Sequence, residues 1–170
     1  MFHVRLTRNL LFLMLFALVE NSIAETEQLL PEQKIYTAAA FAPDGRLWRL
    51  LPSQKFISVD YSMDHGKTFS QPVRVNPVDM PIHAWDENPP ALAVDRNGRL
   101  YVLFFANDRQ SSTSFFSHSD NGKQFSTPVK ISSEANSWYH YQTEMLVNAA
   151  DRVHFAWHDT RDRAEYKREG

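Results

Sequence analysis

From residue 36 onward, short apolar stretches alternate with turn-forming residues. None of these stretches continues at helical spacing, and many are rich in β-branched and aromatic residues, which is typical of β-strands. Asp44-Gly45 and Asn97-Gly98 separate neighbouring stretches, and such dipeptides favour tight hairpin turns. The sequence therefore predicts strands at residues 36–41, 47–51, 56–62, 72–75, 90–95, 100–105, 113–118, 128–131, 144–148, 153–157 and 164–166.

The same pattern returns after 53 residues, since residues 42–48 (APDGRLW) align with residues 95–101 (DRNGRLY). A tandem repeat of four-stranded units predicts β-propeller blades. A β-sandwich is the alternative all-β fold, but it does not predict a repeat. We therefore expect about two and a half antiparallel blades of an incomplete propeller, with a lead-in at 25–35, blades at 36–76 and 90–132, and a partial blade at 144–170, so that propeller repeats cover 36–170.

Residues 1–24 have the three parts of a secretory signal: Arg5 and Arg8, an apolar run at 10–19, and small residues at Ser22 and Ala24. Cleavage is predicted after Ala24, which makes the mature protein secreted or periplasmic, with no stable membrane span. An uncleaved anchor is the alternative, but the apolar run is shorter than the roughly 20 residues that cross a bilayer.

Composition removes several classes of function. The chain has no cysteine, which excludes disulfides, thiolate metal sites and a cysteine nucleophile, and which suits an exported bacterial protein. The net charge of −2 gives no electrostatic case for a nucleic-acid partner. No cofactor is predicted. No metal site is predicted either, because His83, His140 and His158 match no standard zinc spacing.

One turn motif is complete in the first repeat. Ser62, Asp64, Gly66, Thr68 and Phe69 match the Asp-box pattern Ser-x-Asp-x-Gly-x-Thr-aromatic at every position. Over about residues 36–170 the chain therefore resembles the bacterial neuraminidase repeat proteins of the sialidase superfamily. A degenerate second copy follows at Asp120, Gly122 and Phe125, with His118 and Gln124 in place of serine and threonine.

We interpret the Asp-box residues as structural rather than catalytic. An aspartate in a tight turn can accept hydrogen bonds from the N–H groups of that turn. Gly66 and Gly122 allow the positive φ that the turn needs. Phe69 and Phe125 are expected to pack beneath the hairpins, in the core between blades.

Antiparallel strand order places the Asp-boxes at one edge of each blade and the linkers between blades at the other. The linker edge holds most of the aromatic and charged residues, and such residues stack on sugars and bind hydroxyl and anionic groups. Tryptophans packed between blades and structural Asp–Arg ion pairs are the alternative interpretation. The glycan-binding candidates are Trp85, Asp86, Glu87, Asp108, Arg109, Trp138, Tyr139, His140, Asp159 and Arg161.

The resemblance also implies what an active sialidase needs: six blades, an arginine triad, an acid/base aspartate and a Tyr–Glu pair. Residues 31–36 read PEQKIY and lack the arginine of the usual Phe-Arg-Ile-Pro motif, and residues 51–55 contain no acid. A third Asp-box aspartate is expected at 173–176, beyond Gly170. The chain thus resembles the front part of a longer protein, and its enzymatic status stays open.

Three functions follow as hypotheses. The first is an exported, sialidase-like propeller module that binds a glycan or a protein partner without catalysis. The second is the N-terminal part of an exo-sialidase or related glycoside hydrolase. The third is an envelope assembly or scaffold factor, whose partner is an envelope protein.

Overall fold

The computed structural model describes residues 35–84, 88–107, 112–131 and 141–158. Every described residue lies in one unit of the chain, Lys34–Gly170. The described residues form strands and no helix, which confirms the all-β class. The strands are β1 (Ala39–Phe41), β2 (Leu47–Pro52), β3 (Ile57–Ser62), β4 (Val73–Arg74), β5 (Ile82–His83), β6 (Ala91–Val94), β7 (Leu100–Asn107), β8 (Ser112–Ser119), β9 (Val129–Lys130), β10 (Tyr141–Val147) and β11 (Val153–His158).

All strand pairs in the described residues are antiparallel, and neighbours in sequence are mostly neighbours in a sheet. The first sheet has the order β1-β2-β3-β4, and the second contains β6-β7-β8-β9 in the same succession. Strands β10 and β11 form a two-stranded third sheet. The strands before residue 159 agree with the predicted ones to within a few residues, while the predicted strand at 164–166 lies outside the described residues.

Strand β5 was not predicted. It pairs with β7 at Phe105 and Ala106, beyond the part of β7 that pairs with β6. Immediately before and within β5, the N–H groups of Met80 and Ile82 donate to carbonyl oxygens of residues 54–55, in the loop between β2 and β3, at 3.0 Å each. The linker therefore joins the first sheet to the second, and its strand forms from these backbone bonds rather than from an apolar pattern.

The main core lies between the first two sheets. Trp48, Leu50 and Val59 point from the first sheet into this core, and Val102 and Phe104 point into it from the second. All five side chains are almost fully buried. Burial on this scale is the dominant stabilising term for such a domain. The pairing of the two sheets is therefore the centre of the described structure.

The opposite face of the second sheet packs against the third. The rings of Phe116 and Phe155 meet edge to face, with centroids 5.1 Å apart. The hydroxyls of Ser114 and Thr143 are 2.7 Å apart across the same junction. Strand β6 accordingly lies against both β1 and β10. The three sheets thus pack in chain order, and none of them closes on itself among the described residues.

The 53-residue interval is visible in the backbone of three hairpin turns. The N–H groups of Ala42, Asp95 and Asn148 each donate to the carbonyl oxygen four residues later, at 2.8, 3.0 and 3.0 Å. The fourth residue of each turn has a positive φ, with values of 87°, 83° and 57° at Gly45, Gly98 and Asp151. The spacing that the sequence predicted is therefore repeated in the turn geometry.

Gly122 marks a close approach between the second sheet and the first. It has a φ of 71°, and a Cβ placed on it would lie 2.1 Å from the ring of Trp48. Trp48 itself is 2% exposed and packs on Tyr61, so the ring has little room to move. The turn between β8 and β9 thus covers the aromatic side chain of the preceding sheet.

We expect Gly122→Ala to lower the free energy of unfolding by about 2–4 kcal/mol, because it adds backbone strain to a steric clash. Gly45→Ala is the matched control, since Gly45 has a φ of 87° but nothing within 4 Å of an added Cβ. That control should cost only about 1–2 kcal/mol. Urea unfolding of both variants makes the comparison, and equal losses would contradict the close approach.

Candidate functional site

The sheets present two edges. The turn edge carries the repeated hairpins at Gly45 and Gly98 and the β3–β4 and β8–β9 turns. The linker edge lies at the other end of the strands, where β7 ends and β8 begins, and it includes Asn88, Ser114 and Thr143. Pairing of Leu100 with Ser119 and of Asn107 with Ser112 fixes these two ends of the second sheet.

At the turn edge, the side chains of the first Asp-box bond to their own backbone. The Ser62 hydroxyl accepts the N–H of Gly66 at 2.7 Å and donates to Asp64 Oδ1 at 2.7 Å. The Asp64 carboxylate accepts the N–H of Thr68 at 2.8 Å and its hydroxyl at 2.7 Å. These bonds, those from Thr68 first, lower the pKa of Asp64 to about 2. Its carboxylate is occupied by the turn, which fits a structural role.

The second turn has a different register from the predicted alignment. Leu47 pairs with Ser62 in the first sheet and Leu100 pairs with Ser119 in the second, so Ser119 takes the place of Ser62. The Ser119 hydroxyl accepts the N–H of Gly122 at 2.9 Å. The residue in the place of Asp64 is thus Asn121, whose Oδ1 accepts the N–H of residue 123 at 2.8 Å.

The predicted box aspartate, Asp120, forms an ion pair with Arg99 instead. The physical reason is that the second turn has one residue fewer between its serine and its glycine. A fixed interval of 56 residues aligns Gly122 and Phe125 correctly but misplaces the residues before them. Strand pairing, which a motif alignment does not contain, decides the register.

The aromatic residues of the two Asp-box turns also differ in their packing. Phe125 packs against the core between the first two sheets, as expected. Phe69 does not belong to that core among the described residues. It lies beneath the guanidinium of Arg49, at 3.3 Å from its ring centroid, and Arg49 makes two hydrogen bonds to the buried Asp60 at 2.8 and 2.9 Å. Arg49 points to the face of β2 opposite to Trp48, and Phe69 follows it there.

All ten glycan-binding candidates, Trp85, Asp86, Glu87, Asp108, Arg109, Trp138, Tyr139, His140, Asp159 and Arg161, lie outside the described residues. The described residues that precede or follow them in sequence nevertheless lie together at the linker edge. Ala84 and Asn88 flank residues 85–87, and Asn107 and Ser112 flank residues 108–111. Tyr141 pairs with His158, which brings the flanks of the remaining candidates together.

A small pocket lies at this edge, between the second and third sheets. Asn88, Phe105, Ser114 and Thr143 are among its lining residues, and it encloses about 170 Å³ of space that includes open solvent. Its interior is too narrow for a water-sized sphere. Asn88 is 4% exposed, and no described residue donates to its Oδ1. The pocket is therefore a packed polar junction, and sequence reasoning missed it because none of its residues belongs to a motif.

His83 lies beside this junction, next to Phe105 through the β5–β7 pairing, with ring centroids 5.8 Å apart. Burial lowers the pKa of His83 below its ordinary value, which favours a neutral imidazole at pH 7. The described part of the chain contains no group of three or more histidine, aspartate or glutamate side chains that could hold a metal ion. It also contains no helix long and apolar enough to cross a membrane.

Comparisons with known proteins add little. No family model matches the sequence, and no curated protein matches it. The fold is similar to the crystal structure of a protein of unknown function from Dyadobacter fermentans, with a TM-score of 0.47 and 14% sequence identity. The match covers 70% of this chain and 32% of that one, so this chain spans about a third of its length. A likeness of this level carries no argument about function.

The Asp64 bonds predict a pH dependence. Because folding lowers the pKa of Asp64 from 3.8 to about 2, the ionised carboxylate stabilises the fold above about pH 4, and this stabilisation is lost as the pH falls to 2. Asp64→Asn keeps an acceptor, as Asn121 does in the second turn, but cannot ionise. The gap between the urea midpoints of the native chain and this variant should therefore narrow from pH 5 to pH 2. A gap that stays constant would contradict the assignment.

The Ser114–Thr143 bond predicts coupling between the second and third sheets. Both side chains are buried, so Thr143→Val leaves the Ser114 hydroxyl without this partner and should cost about 1–3 kcal/mol of unfolding free energy. Ser114→Ala should cost a similar amount. The double variant should be less destabilised than the sum of the two by about 1 kcal/mol. Additive losses in a double-mutant cycle would show that the two hydroxyls do not interact.

Proposed function

We propose that this chain is an exported, sialidase-like β-propeller module that binds a glycan at its linker edge without catalysing a reaction. The observation that carries the proposal is the convergence of chain segments at that edge. Asn88, Ser114 and Thr143 come from three separate parts of the chain and line one pocket. The described residues that flank the aromatic and charged candidates in sequence also lie at this edge.

The propeller part of the proposal is supported by the packing of the sheets. Successive meanders of antiparallel strands lie face to face, with β6 between β1 and β10. Three hairpin turns recur at one interval along the chain. Repetition of face-to-face antiparallel sheets supports the proposal of propeller blades, which are also built by tandem repetition. The resemblance to the sialidase superfamily rests on the first Asp-box, whose hydrogen bonds explain why serine, aspartate, glycine and threonine stand at those positions.

The non-catalytic part rests on the residues that the motifs lack. Residues 31–36 contain no arginine in the position of the usual first triad member, and residues 51–55 contain no acid. The carboxylates of Asp60 and Asp64 are occupied by Arg49 and by the box turn. The resemblance implies that a sialidase needs a free acid to transfer a proton and an arginine cluster to bind the carboxylate of its substrate. The binding function needs neither.

Glycan-array binding of the purified protein tests the proposal. Trp85→Ala and Trp138→Ala should each weaken the glycan signal by about tenfold or more, since each removes an aromatic stacking surface. Met63→Ala is the control, because Met63 is 67% exposed and lies at the turn edge. It should leave binding unchanged.

Two further outcomes would replace the proposal. Hydrolysis of a fluorogenic sialoside by the native chain would make it a glycoside hydrolase. Absence of any glycan signal, together with co-purification of an envelope protein, would favour the assembly or scaffold function. Loss of binding in the Met63 control would place the site at the turn edge instead.

A further inference from the structure

The contact between the second and third sheets differs from the contact between the first and second. The buried apolar core of the described structure lies within residues 42–115, and no described residue of β10 or β11 belongs to it. Phe155 of the third sheet meets Phe116 of the second, and Met145 pairs with Phe155 and so shares its face. Met145 and Phe155 are nevertheless only half-buried. Apolar burial therefore stabilises this second contact less than the first.

An ion pair at the turn edge joins the third sheet to the second. Nε of Arg96 lies 2.8 Å from Oδ2 of Asp151, and Nδ2 of Asn97 donates to the same oxygen at 3.2 Å. Arg96 and Asn97 belong to the β6–β7 turn and Asp151 to the β10–β11 turn, so the contact connects two neighbouring hairpins. The Arg96 side chain is 66% exposed. Dissolved salt therefore screens this ion pair.

The backbone at Asp151 indicates that this aspartate serves the contact rather than its own turn. Its φ is 57°, in the left-handed region, where Gly45 and Gly98 stand in the other two hairpins. A residue with a Cβ is less favourable there than glycine, although aspartate tolerates the region better than most residues. The carboxylate at this position supplies the bonds to Arg96 and Asn97, which glycine cannot make.

A second polar contact lies at the opposite end of the same hairpin. The hydroxyls of Ser114 and Thr143 are 2.7 Å apart, and Asn88 lines the same junction. The third sheet is thus held by polar bonds at both ends, with half-buried apolar side chains between them. A unit attached in this way can separate from its neighbour at a lower free energy than the larger core needs to open.

We propose that the third sheet is a lid that opens away from the second sheet, with Asp151 as its latch. Opening breaks the bonds of Asp151 and the Ser114–Thr143 bond, and it leaves the core between the first two sheets intact. It exposes Asn88 Oδ1 and the Ser114 hydroxyl, which are both buried in the closed form. Because the latch is an ion pair that salt screens, a higher ionic strength favours the open form. This inference does not rest on glycan binding, since the lid opens with or without a ligand.

The chain has no cysteine, so one introduced thiol reports the opening through its reaction with a thiol reagent. Ser114→Cys places the thiol in the contact between the second and third sheets. Ser117→Cys is the matched control: Ser117 is also buried in β8, but it pairs with Val102 and faces the core towards the first sheet. Mass spectrometry measures each rate, divided by the rate for the same chain in denaturant. The thiol of Ser114→Cys should react faster than that of Ser117→Cys.

Adding Asp151→Gly to each chain gives the decisive comparison. It should raise the reaction rate of Ser114→Cys about threefold to tenfold and leave that of Ser117→Cys unchanged. The rise should shrink in about 1 M salt, which already screens the ion pair. Glycine also relieves the backbone at φ 57°, so without a latch the variant would react no faster. Thr143→Cys replaces Ser114→Cys if that chain does not fold. Equal rates for the two thiols, or a rate that Asp151→Gly does not raise, would overturn the proposal.

Discussion

The structure depends on the fact that its second sheet is apolar on both faces. The second sheet buries Val102 and Phe104 on one side and Leu103 and Phe105 on the other. An antiparallel sheet of this kind cannot be left with one face in water, so it needs a sheet on each side. The face-to-face succession of the three sheets follows from that requirement. The edges are then the surfaces that remain for turns, linkers and binding.

The polar groups of the two edges have different partners. At the turn edge they bond to nearby groups of the same chain, as the hydrogen bonds of Asp64 and Asp95 show. The linker edge brings together residues that are distant in sequence, and it contains Asn88 Oδ1, an acceptor without a donor among the described residues. Specific binding depends on polar groups that the fold has not already satisfied. The linker edge is therefore where we propose that a ligand binds.

Sequence periodicity was sufficient to predict most of the strands, but it predicted little of the candidate site. The hairpin signals at residues 44–45 and 97–98 and the apolar alternation predicted strands because both are local properties. Strand β5 escaped prediction because it forms through backbone bonds to distant residues. The register of the second turn was not predicted, because this turn is one residue shorter between its serine and its glycine. Only the pairing of Leu100 with Ser119 shows that difference. The polar junction joins Ser114 and Thr143, which are 29 residues apart in sequence. It depends on the packing of two sheets, which no motif encodes.

Like sheets stack in chain order, and the turn of one sheet covers an aromatic residue of the sheet before it. The proton shifts of Gly122 test this most directly, because the glycine lies against the ring of Trp48. Nuclear magnetic resonance of the native chain should show a ring-current shift of a Gly122 α-proton, because an added Cβ on Gly122 would lie 2.1 Å from Cη2 of the indole ring. That shift should disappear in Trp48→Leu, provided that the remaining spectrum stays dispersed. An ordinary Gly122 shift in the folded native chain would contradict the stacking.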